Sequence, residues 1–188
     1  SYTTANWVGD LQAYSVNSST GELGTTPAWS AQTQLDNATP SARNIYFNNG
    51  GTLASFTYAN LTTAGKSALF DSLCSQSVVA SQCAGLTSTQ LGLANAGANL
   101  VAFLRGDRGY EATNSTNPLY RTRQHILGDI INSSPVYVGA PLFSYTDTGY
   151  AAFKTAQASR TPVVYAGAND GMLHAFNAAT GSELWAFI

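Results

Sequence analysis

Residues 163–187, VVYAGANDGMLHAFNAATGSELWAF, constrain this chain more than any other stretch. Val163, Val164 and Tyr165 form a β-prone run, and Asn169-Asp170-Gly171 supplies turn chemistry, because Asn, Asp and Gly tolerate positive φ. From Met172 the residues alternate. Met172, His174 and Phe176 share one face and Leu173 and Ala175 the other, as in a half-buried strand. Asn177 is placed to accept from backbone amides just ahead of it, and Thr180-Gly181 closes a second tight turn. Leu184, Trp185 and Phe187 then begin another apolar run. A lone hairpin needs no turn ending in T-G-x-E-L-W. A stack of similar sheets could use one.

The unit recurs. In residues 9–29, GDLQAYSVNSSTGELGTTPAW, Gly9, Leu11, Ala13 and Tyr14 repeat the spacing of Gly171, Leu173, Ala175 and Phe176. Thr20-Gly21 then matches Thr180-Gly181 with two extra residues in the turn, and Trp29 matches Trp185 after a longer insertion. Fainter copies run from Ile45 to Phe56 and from Pro135 to Tyr145. The strands predicted are 44–47, 52–58, 135–138, 163–166 and 172–176.

Ala175-x-Asn177-x-x-Thr180-Gly181-x-Glu183-x-Trp185 resembles the tryptophan-docking motif of quinoprotein-type β-propellers, with Asn177 where that family has Asp. In that family the tryptophan of one blade stacks on its neighbour, so the resemblance implies that the T-G-x-E-L-W turn joins sheets. LGDIINSSPVYVG (127–139), followed by 163–187, resembles the propeller of the PilY/PilC-type proteins of type IV pilus tips. The spacing of Trp7, Gly9, Leu11, Tyr14, Trp29 and Leu35, and LRGDR (104–108) followed by Arg121 and Arg123, are similar to that family too.

The fold so implied is mainly β: a partial quinoprotein-like propeller of antiparallel meander blades, carrying a small disulfide-pinned helical insert. Residues 1–62 read as propeller-like β segments, 63–106 as the insert and 107–188 as the start of the blades. The function implied is that of a non-enzymatic adhesin or assembly factor, taking part in pilus biogenesis and in surface or host-cell attachment. It would be exported to the outer membrane or cell surface, at the pilus tip. Its partners would be pilin or minor pilin subunits, the rest of the propeller or another copy by strand pairing, and a host receptor. No cofactor is assigned to this chain, because that family's calcium loop lies later in its propeller. Two alternatives stand beside this reading, a fragment of a PQQ-dependent quinoprotein dehydrogenase and an outer-membrane assembly scaffold.

Only 10% of residues are charged and the net charge is −2, which argues against a phosphate-binding surface and hence against nucleic acid. No apolar run reaches the roughly 18 residues of a membrane span. Ser1 reads as a processed or engineered start. A propeller needs about four to eight four-stranded blades, so the chain is expected to pair strands with a partner near Ile188 or to fray there.

Cys74 and Cys83 are the only cysteines. Their spacing fits neither a zinc ligand pair nor a catalytic CxxC. A disulfide closing a small loop is expected, which implies an oxidising compartment, and two free buried thiols are the alternative. Around them, 63–73 places Leu69, Phe70 and Leu73 on one helical face. Thr87 and Gln90 form a capping box for a second helix burying Leu93, Leu100, Val101 and Leu104. Gly106 is its C′ residue, with Arg105 beside the C-terminal dipole.

Arg105-Gly106-Asp107 supports two readings, an integrin-type adhesion motif and a plain helix stop. Catalysis finds no foothold. His125 and His174 have no metal-spaced partners, and no nucleophile elbow, P-loop or carboxylate pair appears. Asn169-Asp170-Gly171 lacks the rest of a calcium loop and reads as a turn.

Overall fold

The computed structural model describes residues 2–3, 8–114 and 116–188, the first two by backbone alone, so Trp7 lies outside the described residues. The chain forms two compact units, Ser1–Asn37 with Leu127–Ala186 and Ala38–Ile126 with Phe187–Ile188. In chain order the first unit begins with β1 (Tyr2–Thr3), β2 (Val8–Gly9), β3 (Gln12–Ala13), β4 (Trp29–Ser30) and α1 (Ala31–Asp36). The second holds β5 (Ile45–Asn49), β6 (Thr52–Ser55), α2 (Tyr58–Thr63), α3 (Ser88–Asn95) and α4 (Gly97–Leu104). The first resumes with β7 (Val136–Val138), α5 (Tyr150–Ala156), β8 (Val163–Gly167), β9 (Leu173–Asn177) and β10 (Glu183–Phe187). The chain is mainly β, with most of its helix in the second unit.

In the first unit the strands lie in the order β10-β9-β8-β7. β7, β8 and β9 are antiparallel neighbours, with Tyr137 opposite Val164 and Val164 opposite Phe176. The two-residue strands make smaller pairs, β1 with β2 and β3 with β4. The core gathers Trp29, Ala31, Leu35, Met172, Ala175, Phe176 and Ala186, all buried. β9 is therefore covered on both faces from His174 onward, and only Leu173 keeps the exposed parity that alternation predicted.

In the second unit β5 and β6 form a hairpin over Gly50-Gly51, both at positive φ, and Phe47 and Phe56 meet edge to face. The predicted strand over 52–58 ends early because Thr57 caps α2, its hydroxyl accepting from the Asn60 amide at 3.3 Å. The predicted helix over 63–73 is displaced. α2 closes at Thr63, Gly65 takes φ +69°, and the amides of Gly65 and Lys66 reach back to Thr62 and Leu61. That Schellman stop ends the helix before the apolar positions meant to drive it. Residues 67–69 form one 3-10 turn, Leu69 is exposed, and Phe70 packs edge-on against Phe56.

The capping box at Thr87–Gln90 is present. The helix it starts is two helices, broken at Ala96 (ψ 101°). A side chain on Gly97 would collide with Asp71 Oδ1 at 2.5 Å and with the Phe70 backbone at 2.9 Å, so the chain bends to bring Gly97 against that segment. Asp71 accepts there from the Gly97 amide and the Tyr58 hydroxyl. Of the predicted core positions Val101 is buried, while Leu93, Leu100 and Leu104 are half-buried.

Cys74 and Cys83 form a disulfide, with Cα atoms 5.7 Å apart. Its reduction is expected to cost about 2–3 kcal/mol by chain-entropy arguments. Hydrogen exchange after reduction should show protection lost in 67–95 and retained in β8 and β9; equal loss in both would disprove a local role. At the C-terminus, Glu183–Phe187 is a strand, and the Ile188 amide donates to the Tyr46 carbonyl at 3.0 Å. The fraying expected there does not occur.

Candidate functional site

The two repeats share one turn. Asn177 Oδ1 accepts from the Ala179 amide at 2.9 Å, its carbonyl accepts from Gly181 at 2.8 Å, and its own amide donates to Ser182 at 2.9 Å. Asn17 makes the same bonds, with Ser19 at 2.9 Å, Gly21 at 2.7 Å and Glu22 at 2.8 Å. The glycines match as well, at φ +74° for Gly21 and +72° for Gly181. The two extra residues of the first copy therefore lie between Tyr14 and Asn17, ahead of the turn. Aligning the copies at Tyr14 and Phe176 placed them inside it.

The Asn177 turn is covered by an indole from the other copy. Trp29 Nε1 donates to the Ala178 carbonyl at 2.9 Å, and its ring lies where a side chain on Gly181 would be, 2.6 Å from such a Cβ. Glycine is required there twice, by the left-handed φ and by the close approach. Trp29 is thus buried at a joint between residues 149 positions apart. Trp185, the tryptophan of the second motif, is half-buried and tilts against Tyr165 at 5.7 Å. Of the remaining motif residues, Ala175 is fully buried and Thr180 Oγ1 accepts from Ser182. Glu183 serves a different purpose.

His174 is completely buried, and both its ring nitrogens face carboxylates. Nδ1 is 2.8 Å from Glu183 Oε1, and Nε2 is 3.0 Å from Asp170 Oδ2. A ring protonated at both nitrogens donates to both carboxylates. Burial pulls its pKa down, but hydrogen bonds and charge from Asp170 and Glu183 outweigh this and carry it up to about 9. Asp170 is held below its usual range, because His174 and the amides of Gly128 and Met172 overcome the burial that would raise it. The cluster ties the LGD segment to the 169–172 turn, where Asp129 also accepts from Asn169.

Sequence reasoning placed His174 on one face of a half-buried strand, without metal-spaced partners. It missed the charge pair, whose only signal was Asp170 four positions before it. A raised pKa stabilises the fold fully below the unfolded value of 6.5 and loses that contribution as pH climbs through about 9. Thermal unfolding across this window should therefore show on the order of 3 kcal/mol lost on the alkaline side. His174→Gln should abolish the slope, and a variant retaining it would remove the assignment.

In the second unit, α4 ends in a Schellman motif, with Gly106 at φ +110° and the amides of Gly106 and Asp107 donating to Phe103 and Ala102. Arg105 is buried and donates to the carbonyls of Phe56, Pro40, Ser41 and Arg43. Arg43 in turn donates to the Arg105 carbonyl at 2.8 Å. The arginine that an adhesion receptor would need is occupied by backbone, while Asp107 is exposed and caps the Gly109 amide. Glu111, fully buried, bonds Arg123 Nε at 2.7 Å, and the Arg123 guanidinium also donates to Phe103 and Asp107 carbonyls and lies 3.7 Å over the Phe103 ring. Among the described residues, no group of three or more His, Cys, Asp or Glu side chains is placed to hold a metal ion. No helix there is long and apolar enough to cross a membrane.

Residues 127–188, which contain the His174 cluster and the Gly181 turn, match the family model of the PilY1 beta-propeller domain. The chain is 41% identical, over 98% of its length, to the type IV pilus biogenesis factor PilY1 homolog of Xylella fastidiosa. It is 38% and 40% identical, over 97% of its length, to the type IV pilus biogenesis factor PilY1 of Pseudomonas aeruginosa strains UCBPP-PA14 and PAK. The chain spans 13% of the length of the first relative and 15% of each of the others. No solved structure matches it. With the propeller-domain match falling on the cluster and turn that organise its first unit, residues 127–188 carry the PilY1 beta-propeller match, and the chain is similar to PilY1 type IV pilus biogenesis factors along nearly all its length.

Proposed function

We propose that the chain is a structural segment of a type IV pilus biogenesis factor, non-enzymatic, exported and acting at the pilus tip in assembly and attachment. The observation that carries this is the 38–41% identity, along nearly the whole chain, to proteins named for pilus biogenesis. The Trp29–Gly181 joint supports a quinoprotein-like arrangement in which one blade docks on the next. Contact with pilin or minor pilin subunits, or with other propeller strands, is supported by the edge strand β7, where Val136 and Tyr137 are exposed, and by Leu142 and Phe143 exposed just after it. An open strand edge beside apolar side chains suits strand addition. For Arg105-Gly106-Asp107 the buried guanidinium favours the helix-stop role.

The test is genetic. Deleting the gene in its host should remove surface pili, and a copy with Asp107→Ala should restore both pili and attachment. Normal piliation in the deletion strain would refute the biogenesis role. Attachment lost only in the Asp107 variant would return the motif to adhesion. Dye-linked alcohol oxidation by the purified protein, supplied with PQQ and calcium, would favour the dehydrogenase alternative.

A further inference from the structure

The first unit contains a cleft that none of the chemistry above uses. Asp10, Gln12 and Tyr14 alternate along one extended segment, and with Leu11, Ile130, Ser133 and Pro135 they line an open cleft of about 470 Å³. That volume is within the range of small-molecule sites. The polar side chains are wired together. Tyr14 Oη donates to Gln12 Oε1 at 2.7 Å, and Gln12 Nε2 donates to Asp10 Oδ2 at 2.8 Å. Asp10 is itself fixed by the Ser30 hydroxyl at 2.7 Å and the Gln32 amide at 3.0 Å. Across the cleft, Ser133 Oγ accepts from the Gly167 amide at 3.0 Å, which leaves its hydroxyl proton to donate.

We propose that this cleft binds a neutral saccharide. No lysine or arginine lines it and one carboxylate does, so an anionic ligand would meet repulsion with nothing to offset it. A bare cation would find a single carboxylate, already accepting three hydrogen bonds. The lining is too polar for a purely apolar ligand. Sugar hydroxyls both donate and accept, and they match what is left here: the second Gln12 amide proton, the Tyr14 phenol oxygen and the Ser133 hydroxyl. The Tyr14 ring, 40% exposed, offers an apolar face to the C–H side of a pyranose. Because the residues already hold one another, binding orders few side chains.

The proposal is independent of the pilus role, and its failure would leave that reading as it stands. The chain is titrated with glucose, galactose, mannose and N-acetylglucosamine, followed by NMR shifts of the 9–15 and 130–135 amides, with glycerol and inorganic phosphate as controls. At least one sugar should saturate shifts confined to those amides. Tyr14→Ala and Gln12→Ala should each weaken it about tenfold, and Tyr14→Phe, which keeps the ring, by less. Tyr14 and Gln12 are exposed, so the variants should keep the unmodified circular dichroism. The proposal is overturned if no sugar saturates, if glycerol or phosphate binds equally well, or if both alanine variants, folded, bind as tightly as the parent.

Discussion

Glu111→Ala should destabilise the second unit by about 3–5 kcal/mol, the cost of stranding a buried charge. Glu111 is fully buried and supplies the negative charge facing Arg123, whose side chain is 9% exposed. Removing the carboxylate leaves a guanidinium out of water with only carbonyls and the Phe103 face to compensate. It also frees the Arg123 amide, which donates to Glu111 Oε2 at 3.2 Å. Chemical denaturation should show the loss as a lower midpoint. The companion double variant, Glu111→Ala with Arg123→Met, should be less destabilised than the single, because the orphaned charge is gone. A single-variant cost under about 1 kcal/mol would mean that water reaches the pair.

Trp29→Ala should cost the first unit about 3–5 kcal/mol, the usual range for truncating a buried tryptophan. The indole fills the space above Gly181. Trp29→Phe separates the two contributions. It keeps most of the apolar contact and loses the bond to the Ala178 carbonyl, which is worth about 1 kcal/mol. Gly181→Ala should approach the severity of Trp29→Ala, because it combines a left-handed backbone with a 2.6 Å clash. If Trp29→Ala melted with the parent while Gly181→Ala did not, the strain at Gly181 and not the indole would be holding the turn.

What the sequence made legible was local. The Thr87–Gln90 box, the Gly106 stop and the Cys74–Cys83 loop all act within ten residues, where spacing alone specifies geometry. Gly65 was equally local and was overlooked, because the apolar spacing of Leu69, Phe70 and Leu73 suggested a helix running through it. Strands β5 to β9 were found to within a few residues, since alternation and turn residues mark them. The partners were not legible. Trp29 meets Ala178 across 149 positions, and Arg105 reaches carbonyls 49 to 65 positions away. Nothing in either local pattern names those targets. Nor does strand parity reveal that His174 is charged, since that depends on which side chain of the adjacent strand arrives at its second nitrogen.

The Trp29–Gly181 joint has a sense of direction. It works like a hook and an eye: the hook, Trp29, belongs to one repeat and the eye, Gly181, to the other. Each repeat carries both parts. The eye at Gly21 has the shape of the occupied one, yet no described residue lies within 4 Å of the position a side chain would take there. The hook at Trp185 makes one ring contact, and its indole nitrogen donates no hydrogen bond among the described residues. A series joined this way always has one of each to spare, however many repeats are added.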